Sequence, residues 1–128
     1  MRILVIEDDE AIAELIELAL GQEGHEVTVA ADGERGLAAA DQRHPDLILL
    51  DMLMPVLDGW SFAARYRGSP GPHAPIVVMT AAADAMQRAA EISAHGVLAK
   101  PFTLDELHNA VSPYEPADRQ DPSSARGP

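Results

Sequence analysis

The sequence predicts a doubly wound α/β fold, in which helices cover both faces of a five-stranded parallel sheet. Short apolar runs of buried-strand type alternate with segments of helical periodicity over most of the chain. This alternation is typical of strand–helix–strand units, which build parallel sheets with helices on both sides. The strand-like runs are Ile3–Ile6, Glu26–Ala30, Leu47–Leu50, Ile76–Met79 and Val97–Ala99.

The helices are predicted from apolar residues at helical spacing and from signals at their ends. The second helix ends where His44 precedes Pro45, because a residue before proline avoids the helical region. Thr103 and Glu106 form a capping box that begins the last helix, and Pro113 stops it. The predicted helices cover about 12–20, 33–43, 58–67, 84–94 and 104–112. With five strands and five helices, we expect the flavodoxin-like strand order 2-1-3-4-5.

Length and composition indicate one globular domain that is not suited to binding a polyanion. The 128 residues suffice for one core, and 47% of them are apolar. A formal net charge of −12 repels nucleic acid, so direct DNA or RNA binding is not expected. The chain has no cysteine, no apolar stretch long enough to cross a bilayer and no visible leader. Together these features predict a cytoplasmic protein without membrane insertion.

Residues 1–112 are predicted to form this domain, and residues 113–128 a separate tail. The tail contains four prolines and several charges, with little to bury. Such a composition predicts disorder, and the tail is too short and polar to be an effector domain. Whether it is the remnant of a linker stays open.

Five polar residues stand at the ends of four predicted strands. Glu7 and Asp8 follow the first strand, and Asp51 follows the third. Thr80 follows the fourth strand and Lys100 the fifth. Because the carboxyl ends of parallel strands face one crevice, we expect these side chains to converge there. Three carboxylates, one hydroxyl and one ammonium are suited to holding a divalent cation and a phosphoryl group.

The acids predict a Mg²⁺ site, and Asp51 is the predicted acceptor of a phosphoryl group. Carboxylates this close repel one another unless a hard cation lies between them, and Mg²⁺ prefers oxygen ligands. A carboxylate can take a phosphoryl group to give an aspartyl phosphate, a transfer that depends on positioning and charge neutralisation. Lys100 and the Thr80 hydroxyl would then contact the phosphoryl oxygens. Asp9 is predicted to cap the first helix.

Four segments carry these residues, and in order, separation and identity they resemble one family. Over about residues 1–112 the chain is similar to the response-regulator receiver domains of bacterial two-component systems, in particular the single-domain, chemotaxis-regulator-like ones. The matching segments are Ile3-Leu4-Val5-Ile6-Glu7-Asp8-Asp9-Glu10, Asp46-Leu47-Ile48-Leu49-Leu50-Asp51-Met52-Leu53-Met54-Pro55 with Asp58-Gly59, Val77-Val78-Met79-Thr80-Ala81, and Leu98-Ala99-Lys100-Pro101-Phe102.

The resemblance implies a role for each residue. The acidic pair Glu7–Asp8 would bind the metal ion, together with Asp51 and the main-chain carbonyl of Leu53. Asp51 would receive its phosphoryl group from a sensor histidine kinase or a histidine phosphotransfer protein, and a downstream effector protein would read the result. Thr80 would be the switching hydroxyl and Lys100 the phosphate-binding lysine. The implied function is that of a signalling phospho-acceptor and not of an enzyme.

One departure from the family pattern keeps an alternative function open. Three residues before the lysine the family usually has Tyr or Phe, whose inward movement accompanies phosphorylation, and this chain has Val97. We therefore expect that coupling from Thr80 to the face formed by the fourth helix, the fifth strand and the fifth helix is weaker, or that it runs through the fourth helix itself. A receiver-like interaction module that works without phosphorylation is the alternative.

A class of phosphatases and a class of cofactor-binding proteins are excluded by the residues that follow the third and the first predicted strand. Leu53 stands where a haloacid-dehalogenase-like phosphatase needs its second acid. The acidic run 7–9 would repel the phosphate that a flavodoxin or dinucleotide binder holds after its first strand.

Aromatic residues and histidines outside the predicted site are interpreted as ordinary packing or surface residues. Trp60, Phe62 and Tyr66 lie on the third helix and are too few for a nucleic-acid stacking platform. The histidines at 25, 44, 73, 95 and 108 show no pair at metal-ligand spacing, so we expect them at the surface or in turns.

Overall fold

A computed structural model describes residues 1–116, which form one parallel sheet with helices on both faces. Strands and helices alternate as the sequence predicts. The strands are β1 (Arg2–Ile6), β2 (Glu26–Ala30), β3 (Leu47–Asp51), β4 (Ile76–Ala81) and β5 (Gly96–Lys100). The helices are α1 (Glu10–Gln22), α2 (Gly33–Arg43), α3 (Gly59–Gly68), α4 (Ala85–Glu91) and α5 (Leu104–Val111). None of these helices has both the length and the apolar character needed to cross a membrane.

The strand order is β2-β1-β3-β4-β5 and every neighbouring pair is parallel, which confirms the predicted fold class and order. In the centre of the sheet, Leu50 of β3 lies beside Ile6 of β1 and Val78 of β4. All carboxyl ends of the strands therefore lie along one edge, and all amino ends along the opposite edge.

The central strand β3 is fixed from both faces of the sheet. Ile48 and Leu50 enter the core under α2, α3 and α4, whereas Leu47 and Leu49 enter the core under α1 and α5. All four side chains are fully buried. Burial of each such side chain stabilises the fold by about 1.5–3 kcal/mol. The strand that ends at Asp51 is consequently a rigid base for that residue.

Two helix caps that the sequence predicts are present and direct the chain away from the ends of β1 and β5. Asp9 accepts a hydrogen bond from the Ile12 amide at 3.1 Å and so caps α1. The Thr103 hydroxyl accepts a bond from the Glu106 amide at 3.1 Å, and the Glu106 carboxylate accepts one from the Thr103 amide at 2.8 Å. Each cap satisfies amide donors that a helix start otherwise leaves without partners.

Helix α4 is shorter than the predicted span of 84–94. A separate 3-10 helix over Ala82–Asp84 precedes α4, which begins at Ala85 and ends at Glu91. Ser93 adopts the left-handed conformation (φ 51°), and the Ala94 amide donates to the Ala89 carbonyl at 2.8 Å, which closes the helix end. With seven residues, α4 depends on contacts with its neighbours for its position.

Residues 113–116, predicted to belong to a disordered tail, are ordered. Ser112–Tyr114 forms a 3-10 helix, in which Pro113 occupies an early position where its missing amide hydrogen costs little. The Tyr114 hydroxyl donates to the His95 carbonyl at 3.0 Å. The rest of the predicted tail, 117–128, lies outside the described residues.

His25 lies in the turn between α1 and β2, in agreement with the expectation of surface or turn histidines, but its side chain is buried. Its side chain is 1% exposed. Nδ1 lies 3.2 Å from the main-chain nitrogen of Met1, and Nε2 lies 2.9 Å from the Glu115 carboxylate. Both partners are remote in sequence from His25, so the local sequence gives no sign of its burial.

Replacing Gly59 by alanine is expected to lower the free energy of unfolding by about 1–3 kcal/mol. A Cβ atom there would stand 2.7 Å from the Met52 Cα and 3.1 Å from the Asp51 carbonyl oxygen, so α3 would have to move away from the end of β3. Urea unfolding measures the change.

Gly21→Ala is the matched control for that substitution. Gly21 lies inside α1, and an added Cβ meets nothing within 4 Å. Alanine there should stabilise the chain by up to about 1 kcal/mol, because glycine is a poor helix former. Equal changes in the two variants would contradict the close packing of α3 on the loop after β3.

Candidate functional site

The residues predicted to converge lie at the carboxyl edge of the sheet. Asp51 ends β3, Lys100 ends β5, and Thr80 is the next-to-last residue of β4. Glu7 and Asp8 directly follow β1, where Glu7 is buried and Asp8 is exposed. One carboxylate oxygen from each of the three acids lies within 4.8 Å of the other two. The acidic cluster expected from the strand ends is therefore present.

Lys100 bridges two of the acids. Its Nζ lies 2.6 Å from the Glu7 Oε1 and 3.5 Å from the Asp51 Oδ2. Burial alone would lower the pKa of Lys100, but the close contact with the Glu7 carboxylate and the charge of Asp51 outweigh burial and raise this pKa. The ammonium thus stays charged at physiological pH. Sequence reasoning placed Lys100 near a phosphoryl group but did not predict that Glu7 would be its nearer partner.

The Asp51 carboxyl is held in an environment that disfavours its charge. Burial, and next the negative charge of Glu7, raise the pKa of Asp51 from 3.8 to about 7. The ammonium of Lys100 and the Leu53 amide, which donates to the Asp51 Oδ1 at 3.2 Å, act in the opposite direction. Any added cation next to Asp51 will favour the ionised carboxylate.

The donor set fits a hard divalent cation. Three carboxylates offer only oxygen ligands, and two or three of them with water suit the octahedral shell of Mg²⁺. Within residues 1–116 the buried Glu7 Oε1 has no hydrogen-bond partner, and its close neighbour is the Lys100 ammonium, with which it forms an ion pair. Leu53, whose main-chain carbonyl is the fourth predicted ligand, lies in the loop directly after β3. Its part in cation binding stays a prediction.

Thr80 lies between the strands that carry Asp51 and Lys100. In the sheet register Asp51 is beside Met79, and Thr80 is beside Ala99. The Thr80 residue is buried, being 4% exposed. Directly beyond β4 the chain enters the 3-10 helix that leads into α4, so a movement at Thr80 has a short covalent path to α4.

The contact between α3 and α4, which sequence reasoning missed, holds α4 by polar side chains. The Trp60 Nε1 donates to the Glu91 Oε1 at 2.8 Å, and the Arg88 guanidinium lies 5.3 Å from the centroid of the Trp60 ring. Arg67 donates to the main-chain oxygens of the two residues after α4. Val97, by contrast, is a partly buried member of the core. No local pattern could have predicted the Trp60 contact, because its members lie on different helices.

A parallel sheet of this order, with an acidic cluster and a lysine at its carboxyl edge, defines the class of two-component receiver domains. The sequence model of the response regulator receiver domain family matches residues 3–112 of the chain. The chain belongs to this family.

Curated relatives of the chain are response regulators and transcriptional regulators. The response regulator MprA of Mycobacterium avium is 39% identical over 109 residues, which are 84% of this chain and 47% of that protein. The transcriptional regulatory protein TcrA of Mycobacterium tuberculosis is 38% identical over 109 residues, 84% of this chain and 43% of that protein. The chain spans less than half the length of these relatives.

Solved receiver structures share the fold. The chemotaxis response regulator CheY4 of Vibrio cholerae is 29% identical with a TM-score of 0.81, and the match covers 89% of this chain and 98% of that one. The receiver domain of the sensor histidine kinase PA1611 of Pseudomonas aeruginosa is 33% identical with a TM-score of 0.80, covering 88% of this chain and 95% of that one. In that structure a magnesium ion is coordinated in the active-site cleft.

Proposed function

We propose that the chain is a phospho-accepting receiver in two-component or phosphorelay signal transduction, with Asp51 as the acceptor. The observation that carries the proposal is the position of the buried Asp51 carboxylate, at the end of β3 between the acidic pair and Lys100. In transfer from a phosphohistidine, an Asp51 oxygen forms a bond to phosphorus as the P–N bond of the donor breaks. The donor imidazole then takes up a proton from solvent.

The neighbouring residues would stabilise the negative charge of the phosphoryl group during this transfer. Mg²⁺ held by Glu7, Asp8 and Asp51 would neutralise negative charge on the phosphoryl group. The Lys100 ammonium, 3.5 Å from Asp51, faces the same charge from the side of β5. The Thr80 hydroxyl would donate to a phosphoryl oxygen. Catalysis of this kind rests on positioning and electrostatics, for which a rigid β3 is suited.

The proposed partners are proteins. A sensor histidine kinase or a histidine phosphotransfer protein donates the phosphoryl group, and a downstream effector protein reads the phosphorylated state. The charge of −12 argues against direct contact of this chain with nucleic acid, although relatives of greater length are named as transcriptional regulators. The chain would act in the cytoplasm as a signalling phospho-acceptor, without enzymatic activity on a separate substrate.

Incubation of the purified chain with acetyl phosphate and Mg²⁺ tests the proposal. Intact-mass measurement is expected to show the gain of one phosphoryl group, and a chelator added beforehand should prevent that gain. If the mass does not change and beryllofluoride also fails to bind, the proposal is wrong. The interaction module that works without phosphorylation, which the small Val97 side chain favours, would then be the better reading.

Trp60 is expected to report the phosphorylated state through its fluorescence. It is the one tryptophan of the chain, and its ring contacts α4 through Glu91 and Arg88. Because Val97 cannot make a large rotamer change, we expect α4 to carry the signal and to loosen from Trp60. Beryllofluoride with Mg²⁺ should then shift the emission maximum to longer wavelength in the wild type and not in Asp51→Asn. Unchanged emission in a wild-type sample that binds beryllofluoride would show that α4 stays in place.

A further inference from the structure

Helices α3 and α4 are separated by an open groove that two polar bridges cross. One bridge is the hydrogen bond from the Trp60 Nε1 to the Glu91 Oε1, at 2.8 Å. The other is the guanidinium of Arg67, which donates to the main-chain oxygens of Ile92 and Ser93. The groove between the bridges has a volume of about 360 Å³ and is open to solvent. At this groove the two helices are therefore joined by polar groups.

Apolar burial alone holds α4 weakly. The buried side chains of this helix are those of Ala85 and Ala89, which are among the smallest apolar side chains. Because burial stabilises in proportion to the apolar area removed from water, two alanines contribute little. A helix of seven residues is also too short to be stable by itself. The bridges to α3 therefore contribute a large part of what fixes the position of α4.

Arg88 connects the Trp60 bridge to the segment that follows Thr80. Its guanidinium lies 5.3 Å from the centroid of the Trp60 ring and donates to the Asp84 carboxylate at 3.3 Å. Asp84 ends the 3-10 helix that directly follows β4. Within residues 1–116 the buried Arg88 Nε has no hydrogen-bond partner, which costs free energy in this arrangement. A displacement of the 3-10 helix would therefore act on Arg88 and on its contact with Trp60.

We propose that the hydrogen bond between Trp60 and Glu91 is a latch that lowers the affinity of the Asp51 site for a phosphoryl group, a role that rests on the proposed function of Asp51. The latch holds α4 against α3, and α4 leaves this position when Thr80 contacts the phosphoryl group. A contact that only one of two conformations makes biases the equilibrium toward that conformation. Binding at Asp51 is therefore weakened by the free energy that the latch contributes. Trp60 and Glu91 act as positioning residues and do not touch the phosphoryl group.

Calorimetric titration of the full chain with beryllofluoride in the presence of Mg²⁺ tests the latch. Trp60→Phe removes the donor of the hydrogen bond, and Glu91→Ala removes the acceptor. Each variant should bind beryllofluoride about threefold to tenfold more tightly than the wild type, in line with the loss of one hydrogen bond. The double variant should bind as each single variant does, because both substitutions remove the same bond.

Two further variants separate the latch from a merely structural role of Glu91. Glu91→Gln keeps a side-chain oxygen that can accept from Trp60, so it should restore an affinity close to that of the wild type. Glu14→Ala removes one negative charge from an exposed position of α1 and should bind as the wild type does. Circular dichroism checks that each variant is folded.

The outcomes distinguish the latch from the proposed function. If the wild type binds beryllofluoride and Trp60→Phe and Glu91→Ala bind it equally or more weakly, the latch is wrong and the proposed function stands. A gain in Glu14→Ala as large as that in Glu91→Ala would also overturn the latch, because net charge would then explain both. A wild-type chain that binds no beryllofluoride would contradict the proposed function and the latch together.

Discussion

Asp51→Asn is expected to abolish phosphorylation of the chain by acetyl phosphate in the presence of Mg²⁺. Asparagine keeps the size of the side chain but replaces the carboxylate nucleophile by an amide, which does not take up the phosphoryl group. The intact mass of the variant should therefore stay unchanged under conditions in which the wild type gains one phosphoryl group. Among residues 1–116 the buried acids are Asp51 and Glu7, and Lys100 contacts the Glu7 carboxylate at 2.6 Å.

Asp105→Asn provides the control for this experiment. Asp105 is an exposed acid in the first turn of α5, so its replacement changes the net charge by the same amount without touching the site. This variant should be phosphorylated as the wild type is. Labelling of Asp51→Asn at the wild-type level would refute the assignment of the acceptor, and peptide mapping would then identify the modified residue.

Asp51→Asn is also expected to stabilise the folded chain at and above neutral pH when divalent cations are removed. The pKa of Asp51 is raised in the folded chain, from 3.8 to about 7, by burial and by the charge of Glu7. Between these values the folded chain retains a proton that the unfolded chain has released, so wild-type stability falls as pH rises and levels off above about 7. Asparagine does not ionise, and the variant should gain about 2–4 kcal/mol over the wild type above pH 7.

Urea unfolding with a chelator present, near pH 4 and again near pH 8, measures this difference. The two proteins should have similar stability near pH 4, where Asp51 is protonated, and should differ near pH 8. Addition of Mg²⁺ near pH 8 should stabilise the wild type more than the variant, because the ion favours the ionised carboxylate. A difference that is the same at both pH values would show that the carboxyl of Asp51 is not destabilised by its surroundings.

Most of the fold and the convergence of the acids could be predicted from the sequence because their causes are local. An apolar run such as Leu47–Leu50 is itself the signal for a buried strand, and Asp9 and Thr103 cap helices through atoms only three residues away. Once the strands are parallel, the residues at their carboxyl ends must share one edge. The position of Asp51 beside the acidic pair follows from the strand order alone.

The features that could not be predicted depend on partners remote in sequence. His25 is buried because Met1 and Glu115 close around it, and neither is near it in the chain. The early end of α4 and its attachment to Trp60 likewise depend on contacts across helices. Even Lys100, correctly expected at the site, pairs more closely with Glu7 than its position in the sequence indicates.

The crowding of negative charge around Asp51 links survival of the chain to the supply of magnesium. An ion that binds the folded chain and not the unfolded one adds RT ln(1 + [L]/Kd) to stability. When Mg²⁺ is scarce, repulsion between the carboxylates would lower the stability of the fold, so the chain would unfold more often. Proteases that cut the unfolded chain would then degrade it faster. Magnesium would then set not only how readily the chain is phosphorylated but also how many copies of it persist.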